Sequence, residues 1–155
     1  MGRPWPWLVA YACLAIAPVA VAWLPPAPGP RGVAVEVGVG LGFVALAVFA
    51  LQFALTARFR HLAPGVPIDA TMLFHRRMGT LAGGLVLLHV AVLVLAEPNF
   101  WAFLDPRVSV ERAGALVFAL AAIAVLVLGS VWRRRFAWRY ETWRALHSAL
   151  AAAVV

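Results

Sequence analysis

The chain has 155 residues, of which 65% are hydrophobic and 12% charged, and its mean hydropathy is +0.92. Such values exclude an ordinary soluble domain and predict an integral membrane protein. Its net charge of +7 rests on arginine alone. Those arginines flank apolar runs instead of forming one stripe, so they read as a membrane-orientation signal and nucleic-acid binding is not expected. Cys13, the single cysteine, rules out an intrachain disulfide or a thiolate metal cluster.

Hydropathy predicts an all-α, multi-pass transmembrane bundle of about five helices, over roughly residues 7–24, 33–57, 70–96, 113–131 and 138–155. The first span ends at the breaker run Pro25-Pro26-Ala27-Pro28-Gly29-Pro30. A cleaved signal peptide is its rival reading, against which stands an apolar run longer than the usual stretch of about 7–15 residues. The second span carries Glu36 near one end and Gln52 near the other. Its Gly38, Gly40 and Gly42 lack the preceding strand and the third glycine of a dinucleotide loop, and they read as sites of close helix packing.

The third span, with Asp69 as its expected N-cap, contains "FHRRMGTLAGGLVLLHV" over residues 74–90. His75 and His89 lie fourteen residues apart, close to four full turns, so they share one helix face about 21 Å apart along the axis. Between them that face carries Gly79, Ala82, Gly83 and Val86, which would leave a shallow groove for a flat macrocycle. The fourth span has no polar residue from Ala113 to Gly129 and reads as a scaffold wall. In the fifth, His147 is expected at a depth similar to that of His75.

Ten arginines fall on one side of these spans and three on the other if the N-terminus is cytoplasmic. That asymmetry predicts a multi-pass protein of the cell membrane, N-terminus inside, with spans three and five running in the same direction. Tryptophans at 5, 7, 23, 101, 132 and 138 are placed as interfacial anchors. From Ala145 to Val155 the chain holds 11 uncharged residues, about 16 Å of helix against a hydrocarbon core of about 30 Å. The expectation is a chain truncated in its fifth span, or the front portion of a longer protein.

Polar side chains at membrane depth are costly and mark function by default. Imidazoles from two helices facing one gap form the usual axial pair of a low-spin haem b. His75 and His147 are the expected pair, with His89 a further iron ligand. The plainer alternative is hydrogen bonding between helices in a cofactor-free packing protein. His61, in the basic connection after "RFR", is expected at the interface and not at iron, and Met72 and Met78 are expected to fill the core. Arg76, Arg77 and Arg144 can snorkel or pair with haem propionates as bidentate partners. The connection "EPNFWAFLDPRVSVER" reads as a connector before it reads as an acceptor surface.

"FHRRMGTLAGGLVLLHV", followed by "WRRRFAWRYETWRALHSAL", resembles the ferric reductase-like transmembrane domain, the b-type cytochrome module of ferric reductases and NADPH oxidases. The likeness runs from about Trp7 to the end. It implies six helices and two stacked haems ligated from spans three and five. Carried over by position, His75 pairs with His147 on the inner haem and His89 serves the outer one. The partner of His89 would follow His147 by roughly thirteen residues, beyond Val155. An oxidoreductase is implied that carries electrons from the cytoplasmic side to an acceptor such as ferric iron or dioxygen. FAD and NAD(P)H would enter only through a further domain, or through a separate dehydrogenase partner that feeds a haem subunit.

Overall fold

The computed structural model describes residues 5–24, 29, 31–62, 67–132, 135 and 139–154, with backbone alone for 57–62. Among the described residues every regular element is helical. The α-helices are α1 (Trp5–Ala22), α2 (Val33–Leu62), α3 (Ile68–Ala96), α4 (Val110–Trp132) and α5 (Tyr140–Val154), and a 3-10 helix covers Pro98–Phe103. Four of them are long and apolar enough to cross a membrane: α1, α2 over Val33–Thr56, α3 and α4. The protein is therefore an all-α, multi-pass integral membrane protein. Helix is the expected outcome, because no water is present in hydrocarbon to satisfy backbone groups left open by other conformations. α5, where the sequence predicts a fifth span, has 15 described helical residues, about 22 Å of rise.

The helices differ from the predicted spans where polar residues continue a helix past the hydrocarbon. α2 runs on to Leu62, which puts His61 in its last turn and not in a connection; the side chain of His61 lies outside the described residues. α3 starts at Ile68, so Asp69 is not its cap. Asp69 sits in the first turn, where a negative charge still opposes the positive end of the helix dipole.

Two compact units make up the chain, Met1–Ala96 and Glu97–Val155. In the first, α2 and α3 run antiparallel along their whole length. Gly38 meets Leu93, Gly42 meets His89, Val48 and Ala82 share one buried cluster, Gln52 bonds His75, and Leu55 packs on Phe74. Lipid is as apolar as leucine, so the hydrophobic effect does not drive this pairing. Close backbone approach and interhelical hydrogen bonds do. The groove expected between the histidines is accordingly filled by α2: Ala82 is fully buried against Val48 and Ala15, and Gly79 faces the Gln52 amide. α1 closes the unit through Ala15 and through Trp7 and Tyr11, whose rings meet Phe74 edge-on at 4.9 and 5.1 Å. Trp7 thus packs within this unit, on Phe74 and Leu55. Met78 joins this core as expected, while Met72 is exposed.

In the second unit the connection before α4 is ordered by its own polar groups. Ser109 Oγ accepts from the Arg112 backbone N–H at 3.3 Å, an N-cap bond. The Arg112 guanidinium stands 4.6 Å over the Phe103 ring and reaches the Ala102 carbonyl. α4 and α5 then pack on one another, and Ser130 near the end of α4 meets His147 of α5.

Candidate functional site

His75 is gripped by one side chain of α2. The Gln52 amide nitrogen donates to the His75 carbonyl oxygen at 2.9 Å, and Gln52 Oε1 lies 3.2 Å from His75 Nδ1. A carbonyl oxygen can only accept, so the NH2 end of the amide must face it, and the oxygen end then faces the ring. Nδ1 is therefore the protonated nitrogen, donating to Gln52. In the neutral ring Nε2 carries the lone pair.

His89, on the same face of α3 nearly four turns on, reaches the same state by a different device. Its Nδ1 lies 2.7 Å from the Gly38 carbonyl oxygen. That acceptor again requires an Nδ1–H, and leaves Nε2 as the base. The contact exists because Gly42 has no side chain: a Cβ there would stand 2.7 Å from both Nδ1 and Cε1 of the imidazole. The glycines of α2 do serve close packing, as their sequence suggests, and the object packed at Gly42 is a histidine ring.

His147 repeats the arrangement in the second unit. Its Nδ1 lies 3.4 Å from Ser130 Oγ, and the single Ser130 hydroxyl proton is committed to the Leu126 carbonyl at 2.6 Å. The hydroxyl oxygen can then only accept from the ring, so Nδ1–H is once more the donor. The contact is long and correspondingly weak. Trp143, one turn earlier on α5, covers the imidazole with ring centroids 5.1 Å apart.

The basic residues are less committed. Arg76 and Arg77 are exposed, and among the described residues neither forms an ion pair. Arg144 binds Glu141 Oε2 at 3.1 Å, with both side chains more than half exposed. Such exposed pairs contribute about 0–1 kcal/mol, so this one is easily exchanged for another anion. Cys13 is exposed on α1 and meets no other cysteine.

Gln52, Ser130 and Gly42 complete the histidine environments, and sequence reasoning assigned none of them to the site. Gln52 had a visible signal, a carboxamide in an apolar span. Ser130 had almost none, because a serine can satisfy itself on the preceding turn of its own helix.

These features define a multi-pass membrane protein in which three histidines set inside its helices, His75, His89 and His147, each direct Nδ1 at an oxygen of a neighbouring helix. A family model described as ferric reductase like transmembrane component matches residues 41–155. The chain belongs to that family and is a membrane oxidoreductase module of the ferric reductase-like type. No curated protein and no solved structure matches it significantly.

Proposed function

We propose that this module binds haem b and carries electrons from the cytoplasmic side of the membrane outward, to an acceptor such as ferric iron or dioxygen. One observation carries the reading: three histidines within helices each commit Nδ1–H to an acceptor on a neighbouring helix. Metal-bound histidines are typically held this way, because the second hydrogen bond fixes the tautomer and the ring direction and raises the basicity of the ligating nitrogen. The donor set therefore suits haem iron, which needs only two protein ligands when the porphyrin supplies the rest. Among the described residues no three His, Cys, Asp or Glu side chains gather as a chelate of their own.

His75 and His147 are each the eighth residue of their helix, α3 and α5. Each therefore stands about 10 Å along its own helix, and from the likeness to the family we assign the two as the ligands of the inner haem. His89, further along α3, is assigned to an outer haem. When bound, haem supplies a one-electron couple whose potential follows its axial ligands and the surrounding dielectric. The protein's part would be to hold two neutral imidazoles through Nδ1–H with Nε2 left towards iron, to exclude water with apolar helices and to balance charge. Arg76, Arg77 and Arg144 are the candidates for pairing with propionates at the inner surface. Electrons would be supplied by a flavin-bearing dehydrogenase, either as a domain or as a partner, on the cytoplasmic side.

The test is a reduced-minus-oxidised spectrum of the full chain, purified from cells supplied with haem. b-type bands are expected. His75→Ala and His147→Ala should each remove one and the same haem, which His89→Ala should spare. Absence of bands with haem in excess, or retention of full haem content in both His75→Ala and His147→Ala, would defeat the proposal.

A further inference from the structure

We infer that Gln52 is a positioning residue for His75: its carboxamide fixes which ring nitrogen is offered to iron and how strongly that nitrogen donates. The inference rests on the haem reading above and extends it to a residue outside the ligand set.

Gln52 is 6% exposed, inside the apolar stretch Val33–Thr56 of α2 and towards its C-terminal end. An unpaired amide there would cost several kcal/mol on an order-of-magnitude scale. Both ends of this amide are satisfied, and both by the same residue: the ring of His75 through Nδ1 and its main chain through O. A helical carbonyl already accepts one bond from four residues on, and Gln52 takes up its second lone pair. Gly79, which stands at that position in α3, leaves the amide room; even a Cβ there would lie 3.7 Å from the amide nitrogen.

Holding one residue at two points has a consequence that a single bond would not. The amide cannot turn over without setting its oxygen against the His75 carbonyl oxygen. The ring cannot take the Nε2–H tautomer without setting a bare Nδ1 against Gln52 Oε1. One side chain therefore removes two freedoms, ring tautomer and ring direction. By accepting from Nδ1–H it also gives the imidazole partial imidazolate character, which strengthens Nε2 as a donor and favours ferric over ferrous iron. His147, on a hydroxyl at 3.4 Å, receives a much weaker version of the same influence.

A helix-packing role alone would leave tautomer and redox potential untouched, and those are the quantities to read. The full chain, labelled with 15N-histidine, is placed in nanodiscs without haem and the His75 resonance is identified by its loss in His75→Ala. The unsubstituted chain should show Nδ1–H as the dominant form. Gln52→Leu should release His75 to a mixture in which Nε2–H is prominent, and Gln52→Glu, which keeps an acceptor towards Nδ1, should restore the original form. In haem-loaded chain, Gln52→Leu should raise the midpoint potential of the haem lost in His75→Ala, and Gln52→Glu should not. If Gln52→Leu does not fold, Gln52→Met, unbranched and similar in volume, replaces it in both measurements. A single Nδ1–H tautomer or an unchanged potential in the apolar variant overturns the inference. Failure of the unsubstituted chain to bind haem, with the tautomer still dependent on Gln52, would instead defeat the haem reading and with it the iron-directed part of this one.

Discussion

The imidazole of His89 lies directly against the backbone of Gly42, with Nδ1 bonded to the carbonyl of Gly38 one turn away. A methyl group at position 42 would meet the rigid ring itself, 2.7 Å from two of its atoms, and not the yielding tip of a flexible chain. Gly42→Ala should therefore separate α2 from α3 locally, break the Gly38–His89 bond and destabilise the pair by about 1–3 kcal/mol. Gly84, with nothing within 4 Å of its would-be Cβ, is the internal control. Gly84→Ala should be neutral or stabilising by up to about 1 kcal/mol, since alanine is the better helix former. Thermal unfolding in detergent, followed by circular dichroism, checks both.

Ser130 offers His147 only a long contact, so its loss should hardly register in stability. Hydrogen bonds between membrane helices average about 0.6 kcal/mol. Ser130→Ala should fall at or below that value and keep the haem content of the unsubstituted protein. A loss of haem comparable to that in His147→Ala would mean that the hydroxyl has a larger part than a 3.4 Å contact can explain.

Phe74, immediately before His75, is wedged between Trp7 and Tyr11 of α1 in two edge-on contacts. Each such contact adds about 0.5–1.5 kcal/mol beyond burial. Phe74→Leu retains an apolar side chain but loses both ring geometries, and should destabilise the first unit by about 1–3 kcal/mol. The decisive comparison is Phe74→Leu against Phe118→Leu on the same melting assay. Phe118 is 50% exposed on α4, and its replacement should have little effect.

Arg144 and Glu141 form an exposed pair three residues apart, and breaking it should cost no more than about 0.5 kcal/mol. If Arg144 serves a propionate, the two partners will differ in another respect. Glu141→Gln should leave haem retention during dilution unchanged or improved, because it frees the guanidinium. Arg144→Gln should reduce it. Equal retention in both variants would remove Arg144 from the proposed haem contacts.

Orientation is open to direct measurement. With the N-terminus inside, the segment between α3 and α4 faces outward and the one between α4 and α5 faces the cytoplasm. In a Cys13→Ala background, Val108→Cys should react with a membrane-impermeant maleimide on intact cells. Arg135→Cys should react only after the membrane is opened. Both positions are exposed, so access to the reagent depends on the side of the membrane alone. The reverse pattern would turn the proposed direction of electron flow around.

Much of this protein is dictated by composition and period. Apolar runs of membrane length, with no water to satisfy an open backbone, leave helix as the outcome, and a 3.6-residue repeat puts His75 and His89 on one face whatever else the chain does. Family membership was legible in the same way, since its motif lies in contiguous stretches around those histidines. What each histidine does with its protons was not legible. The partner atoms of Nδ1 lie 23 residues away for His75, 51 for His89 and 17 for His147. No local periodicity sets the register between two antiparallel helices; the fit of side chains into glycine notches does. That fit brought Gln52 opposite His75, laid His89 on Gly42 and closed with α2 the groove that the face of α3, taken alone, leaves open. Chemistry at a ring nitrogen is decided by which acceptor stands within about 3 Å of it, and only the packed helices determine that.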